Sequence, residues 1–293
     1  MYSEIAANKR KTLLLMVGFA GLVAVIGFVF SKIYGNPSLT LAVGIGGILY
    51  AIIQYFAADK LAVAVNGAKQ IEKADNPRLW RIVENLSIAE GMPMPRVYIM
   101  NDPAPNAFAS GRDPQHSLVC ATTGLLDIME DSELEGVFAH ELGHIKNYDI
   151  RVSMIAFGLV SVVSILSDIF LRAMFWGNRD DDNSSSSGAF MIIGIIAAII
   201  APIAATMIQL AISRKREYLA DATGALTTRH PDGLARALTK IGQAGSSLRR
   251  QNTSTAHLFF ANPLKKRAFA NLFSTHPPIE ERVRRLQDMG RHE

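Results

Sequence analysis

Apolar residues gather along this chain into four long runs, with polar and charged residues largely confined to the stretches between them. Two runs lie early, Thr12–Phe30 and Leu39–Ala58, and each is long enough to cross a hydrocarbon core, which takes roughly 20 apolar residues. Two more, Met154–Trp176 and Ala189–Ile212, predict a second transmembrane hairpin. Gly177–Gly188 between them is dominated by Asp, Asn and Ser, the composition of a solvated, disordered loop. Asp168 and Arg172 interrupt the third run, but their i,i+4 spacing pairs them on one helix face near its outer end, where side chains reach the interface. Pro202 predicts a kink in the fourth run, tolerable where neighbouring helices take up the freed backbone groups.

The water-facing remainder, Lys60–Arg151 and Ser213–Glu293, is patterned differently. Leu79, Ile82, Val83 and Leu86 make an apolar stripe that predicts a helix through Asn76–Ala89. Arg96–Met100 and Ser117–Ala121 are short strand candidates on either side of the Gly/Pro-rich Asp102–Gln115. Between Ser132 and Tyr148, Leu134, Val137, Phe138, Leu142 and Ile145 recur at helical spacing, and Ser132 followed by Glu135 reads as a capping box that starts that helix. The expected organisation is a transmembrane hairpin over 1–58, a first catalytic segment over 59–151, a second hairpin over 152–212 and a second catalytic segment over 213–293. The fold class is α+β, mainly helical: a multi-pass membrane protein with four transmembrane helices and a small sheet in its soluble part.

Charge orients this arrangement. The formal net charge is +4, and the cations cluster beside the apolar runs, at Lys9-Arg10-Lys11 and Arg214-Lys215-Arg216. Such clusters act as topology determinants and contact anionic lipid, which places both termini and both catalytic segments in the cytoplasm. No zinc finger, aromatic sheet motif or basic arm accompanies them, so nucleic acid is not an expected partner. The basic preface mimics a signal peptide, but the first run is too long for a signal core and no small-x-small cleavage site follows it, so a retained anchor is expected. The single cysteine, Cys120, excludes an intrachain disulfide and any metal site built from several thiolates.

The candidate chemistry lies on the helix of the second stripe. His140 and His144 stand one turn apart, so both imidazoles project to one side and can share a metal. Glu141 is adjacent and can reach a water on that metal, which zinc makes acidic enough for a carboxylate to deprotonate. A catalytic zinc takes three protein ligands and leaves one position open. Glu217 supplies the third, and Asp221, one turn further on, accepts a hydrogen bond from a ligating imidazole and fixes its orientation. Alone the Glu-x-x-x-Asp spacing is common on solvated helix faces. Its position gives it weight, because a two-span hairpin returns Glu217 to the membrane face from which the His helix departs. Asp149 is expected only to end that helix at the membrane surface, and Leu258-Phe259-Phe260 to pack into a core.

With His140-Glu141-Leu142-Gly143-His144, Arg216-Glu217-Tyr218-Leu219-Ala220-Asp221, Pro105-Asn106-Ala107-Phe108-Ala109 and Ser274-Thr275-His276-Pro277-Pro278 in this order, the chain resembles the M48 family of integral-membrane zinc metallopeptidases, in its bacterial HtpX-type branch. The resemblance implies a zincin-like (gluzincin) catalytic domain on the cytoplasmic face of the bacterial inner membrane and one zinc ion per chain. It implies protein substrates, chiefly misfolded or damaged membrane proteins, cleaved as part of envelope quality control. It also implies that Asn106, Ala107, Phe108 and Ala109 form an edge strand to which substrate backbone adds. By pattern alone those residues are a loop after a proline. Finally, it implies that His276, with Arg282 in support, stabilises the tetrahedral oxyanion. By sequence alone His276 equally suits capping the helix that carries Val283 and Leu286. The rivals are a non-catalytic membrane scaffold with a degenerate zinc site, an intramembrane protease and a transporter. The charged surroundings of the motif, Glu133, Glu135, Lys146 and Asp149, argue against the second.

Overall fold

A computed structural model describes residues 2–155, 214–245, 247–249, 258–262 and 277–291. The third apolar run beyond residue 155, the loop Gly177–Gly188, the fourth run with Pro202, and His276 lie outside the described residues. The chain divides into two compact units. One draws on Met1–Lys9, Ala57–Met154 and Ile212–Glu293, and the other includes Arg10–Phe56.

The first two apolar runs form helices α1 (Tyr2–Tyr34) and α2 (Ser38–Asn66), both longer than the runs themselves. Ile5–Phe28 and Thr40–Ala57 within them are long and apolar enough to cross a membrane. Leu13, Leu14, Val17, Val25 and Phe28 on α1, and Leu41, Ile45, Ile48 and Ile53 on α2, are exposed, as suits helices solvated by lipid rather than water. The two helices meet through small residues. A methyl group on Gly47 would come within 2.5 Å of Val23, and Thr40 Oγ1 donates to the Gly27 carbonyl at 3.1 Å.

The first unit is built on a four-stranded sheet in the order β1 (Lys69–Gln70), β2 (Arg96–Met100), β4 (Ser117–Thr122), β3 (Ala107–Gly111). β2 and β4 run parallel, while β1 and β3 are antiparallel to their neighbours. Both faces are covered, and side chains alternate between them along each strand. Val97, Ala107, Ala109, Val119 and Ala121 join the helical core, while Tyr98, Met100, Phe108, Leu118 and Cys120 face Leu248 and Phe259 on the other side. The residues on the helical side of β3 are alanines, which lets a helix lie close against that strand. Burial pushes the Cys120 thiol well above its ordinary pKa, so it is an inert core group.

The helix filling that position is α5 (Asp131–Lys146), with α3 (Pro77–Glu90) beside it and the short α4 (Thr123–Ile128) leading in. α3 matches the predicted stripe. Asn76 caps the Leu79 amide at 2.9 Å, Pro77 opens the first turn and Gly91 closes it in the left-handed region. The expected start of α5 is corrected by two residues. Ser132 and Glu135 do not cap it; the Glu133 carboxylate instead accepts from the Glu130 amide at 2.8 Å, and the helix begins at Asp131. Glu133 is fixed there by Lys240 at 2.6 Å and Arg236 at 3.5 Å, partners from a distant helix that Glu135 lacks.

Three helices from the second half complete the unit: α6 (Arg214–Thr228), α7 (Pro231–Ala244) and α8 (Ile279–Gly290). Two glycines set how near they come to α5. A methyl group on Gly136 would lie 2.8 Å from the Leu234 backbone of α7, and one on Gly224 of α6 would lie 3.1 Å from the His140 amide nitrogen. Close approach at Gly224 brings the first turns of α6 against the His140–His144 face. Glu90 on α3, nearly buried, accepts from Lys146 of α5 and Thr227 of α6 and ties the three helices together.

Candidate metal centre

His140 and His144 project from one face of α5, and Glu217 and Asp221 face them from α6. The His140 and His144 Nε2 atoms stand 3.1 Å apart. Glu217 lies 3.4 Å from His144 Nε2 through Oε1 and 3.9 Å from His140 Nε2 through Oε2. Each imidazole is fixed from behind. His140 Nδ1 meets Asp221 Oδ1 at 2.9 Å, and His144 Nδ1 meets Asp149 Oδ2 at 3.0 Å.

Those two bonds decide the tautomers. A carboxylate accepts, so each Nδ1 carries a proton and each Nε2 offers its lone pair to whichever cation lies between them, a proton held on His144 or a metal ion. Two lone pairs and a carboxylate oxygen therefore converge on one point. Without a cation between them such an arrangement is repulsive. With zinc at about 2.1 Å from each ligand, the edges of a coordination tetrahedron are about 3.4 Å, and the three observed separations straddle that value. Among the described residues this is the one cluster of three such groups placed to hold a metal ion.

The electrostatics agree. Burial lowers the His140 pKa to about 4, with Arg282 adding to that and Asp221 opposing it. A neutral imidazole is what ligation requires. His144 moves the other way, to about 9: burial opposes its charge, but Glu217 and Asp149 outweigh burial. The negative surroundings that hold a proton on His144 serve equally to hold a divalent cation in its place. Burial would raise Asp221 too, but Arg282 and His140 hold it down to about 2.

Glu141 is buried beside the ligands on α5, close enough to act electrostatically on both His144 and Arg282. Arg282 of α8 is 1% exposed in its side chain. Its guanidinium grips Asp221 with two bonds, Nε to Oδ2 at 2.8 Å and Nη2 to Oδ1 at 2.7 Å, and lies over the Phe260 ring. Arg282 thus braces the carboxylate behind His140, a contact the sequence did not suggest. Phe260 itself stands edge-on to His140, with ring centres 5.0 Å apart.

Ala107–Gly111 is indeed the sheet's edge strand, but part of its outer side is covered by the chain's own residues. The Ala107 carbonyl accepts from the Phe260 amide at 2.8 Å, and Phe108 bridges Phe259. Asn106 is fully buried and exchanges side-chain hydrogen bonds with the Ala261 backbone in both directions, at 2.8 and 3.1 Å. The Asn106 side chain thus braces this segment against Ala261.

Asp149 does more than end α5. The chain turns at Tyr148, which takes a positive φ of 61°, and a new helical stretch begins at Asp149 with its carboxylate folded back on His144. Its sequence signal was only its distance, five residues beyond a ligating histidine. Asn8 gave no signal at all, yet it is buried and donates to Asp149 Oδ1 at 2.7 Å.

The peptidase family M48 model matches residues 73–290, most of the chain. A protease HtpX homolog from Tropheryma whipplei (strain Twist) is 55% identical over 99% of both chains. Another from Streptococcus gordonii is 43% identical over 99% of this chain and all of that one. A crystal structure of S. mikatae Ste24p superposes with a TM-score of 0.53 at 17% identity, covering 98% of this chain and 67% of that one, which speaks for the fold alone. Family match, relatives and the two-His, one-Glu cluster on its paired helices agree, and the chain is a member of peptidase family M48.

Proposed function

We propose that the chain is a membrane-bound zinc endopeptidase that hydrolyses misfolded or damaged membrane proteins at the cytoplasmic face of the bacterial inner membrane. The observation that carries this is the convergence of the His140 and His144 Nε2 atoms and the Glu217 carboxylate, with Glu141 next to them. Two imidazoles and a carboxylate suit zinc better than calcium or magnesium, which prefer all-oxygen sites. Bound there, zinc would polarise the scissile carbonyl and acidify the attacking water.

The rest falls to the chain's own groups. Glu141 takes the proton from the attacking water at its carboxylate and delivers it to the leaving nitrogen, so no covalent intermediate with the protein is needed. Asp221 and Asp149 keep both Nδ1 atoms protonated and both Nε2 atoms turned inward. Arg282 holds Asp221 in place. His276 is assigned to the oxyanion through the family resemblance. An extended substrate is aligned along the β3 edge at Asn106–Ala109, the side on which the chain's own Phe259 and Phe260 pair.

The four-span topology rests on the two described spans plus the two further apolar runs of the sequence. The cytoplasmic assignment draws support from Met1–Lys9, which share a compact unit with the ligands and are followed directly by Arg10-Lys11. Detergent-purified wild type and Glu141→Gln, incubated with an unfolded membrane protein while bound zinc is assayed, test the reading. Glu141→Gln should keep about one zinc per chain and lose cleavage by at least about 100-fold. Equal cleavage by both proteins removes Glu141 as the base. Zinc-free preparations of both that cannot be reloaded return the chain to the scaffold reading.

A further inference from the structure

The N-terminal turns of α1 touch the catalytic machinery, and neither the metal chemistry nor membrane anchoring requires them to. Asn8 is 1% exposed although it sits at the polar edge of an apolar helix. Its Nδ2 group donates to the Asn147 carbonyl at 2.8 Å and to Asp149 Oδ1 at 2.7 Å. Lys9, its neighbour, places its ammonium 4.9 Å from the centre of the Tyr148 ring, and the Arg151 guanidinium lies at the same distance from that ring. Two adjacent α1 residues therefore clamp all three residues of the turn that follows α5.

That turn has little reason to hold its shape unaided. Tyr148 adopts the left-handed region, which costs a residue with a β-carbon roughly 1 kcal/mol or more and persists only where the surroundings determine it. The result is that Asp149 points back at His144. Asp149 is almost wholly buried, and its Oδ2 is committed to His144 Nδ1. For Oδ1 the described residues offer one hydrogen-bond donor, Asn8. Arg216 approaches that oxygen only to 3.6 Å, and neither its Nε nor its Nη1 makes a hydrogen bond among the described residues. Removing the Asn8 amide would leave a buried carboxylate with one oxygen short of a donor and a charged guanidinium in reach. Rotation of Asp149 towards Arg216 then satisfies the carboxylate at the expense of His144.

We infer that Asn8 is a positioning residue of the metal centre: through Asp149 it fixes the orientation of the ligand His144, so that the N-terminal end of α1 is part of the catalytic apparatus. The inference rests on the zinc reading above and goes beyond it. A partner of a ligating histidine is commonly worth ten- to a hundredfold in metal affinity. Asn8 acts one bond further out, so the lower end applies.

The test uses the full-length chain in detergent. Zinc affinity is read by competition with a chromophoric chelator, and ligand geometry by the visible spectrum of the cobalt-substituted protein. Asn8→Ala should weaken zinc by about tenfold, shift the cobalt spectrum and lower kcat with little change in KM. In the double variant with Asp149→Ala, loss of Asn8 should add nothing, because two residues acting through one link are not additive. Asn8→Ser, smaller but still polar, reads the same coupling should Asn8→Ala fail to accumulate. Wild-type affinity and spectrum in the Asn8 variants, or losses that add to those of Asp149→Ala, overturn the inference alone. Wild type that binds no zinc overturns the functional reading and this inference with it.

Discussion

Replacing Asp221 by Asn separates two roles that one carboxylate performs. Three donors converge on it: Arg282 Nε on Oδ2, and Arg282 Nη2 and His140 Nδ1 on Oδ1. An asparagine keeps the shape but offers a single acceptor oxygen, and its amide group confronts a donor wherever it is turned. If the oxygen keeps His140 and Nη2, the amide faces Nε. The greater loss is charge. Arg282 is essentially inaccessible to water, and stripping a buried ion of its partner costs about 3–5 kcal/mol. Against a usual total of about 5–15 kcal/mol, that is a large fraction of the fold's stability. The second loss is orientation of His140, worth about ten- to a hundredfold in zinc affinity, or roughly 1.4–2.8 kcal/mol. Urea unfolding of zinc-free, detergent-solubilised protein reads the first, and chelator competition reads the second. Adding Arg282→Met should restore most of the stability, since a buried pair removed together is often close to neutral, and should leave zinc affinity low. A double variant as unstable as Asp221→Asn refutes the buried-charge argument. Wild-type zinc affinity in Asp221→Asn refutes the orienting role.

The same carboxylate sets a pH dependence. Its folded pKa of about 2 lies below the ordinary value of 3.8, so its contribution is complete above about pH 4 and disappears as the pH falls through 2. A shift of that size corresponds to about 2 kcal/mol, visible in unfolding of the zinc-free protein between pH 5 and 2 and diminished in Asp221→Asn. At Gly136, alanine would gain about 1 kcal/mol in helix propensity. A β-carbon 2.8 Å from the Leu234 backbone forces α5 and α7 apart, however, at about 1–3 kcal/mol. Net destabilisation of Gly136→Ala by urea unfolding is expected, and a stabilised variant contradicts the close packing.

The clustering of the candidate ligands was legible because it depends on local periodicity. His140 and His144 are one turn apart, and so are Glu217 and Asp221, so each pair shares a face wherever its helix lies. β2 and β4 were legible for a similar reason, as apolar runs bounded by Gly and Pro. The start of α5 was misread because Ser132 with Glu135 fits a capping rule, whereas Glu133 is held by Lys240 and Arg236, more than a hundred residues away. The role of Arg282 was hidden for the opposite reason. A lone arginine on a charged, amphipathic helix looks solvated until Asp221 and Phe260 are placed around it. Asn8 lies about 140 residues from its partners in sequence, and no local pattern can announce such a contact.

The approach of α6 to α5 at Gly224 has a consequence for the life of the chain as it is made. His140 and His144 leave the ribosome well before Glu217, and the turn that steadies them is finished by a residue synthesised at the very start. A nascent chain therefore carries its hydrolytic groups in separate, inert pieces. The cluster is complete only once synthesis has passed Glu217, some seventy residues after the second histidine.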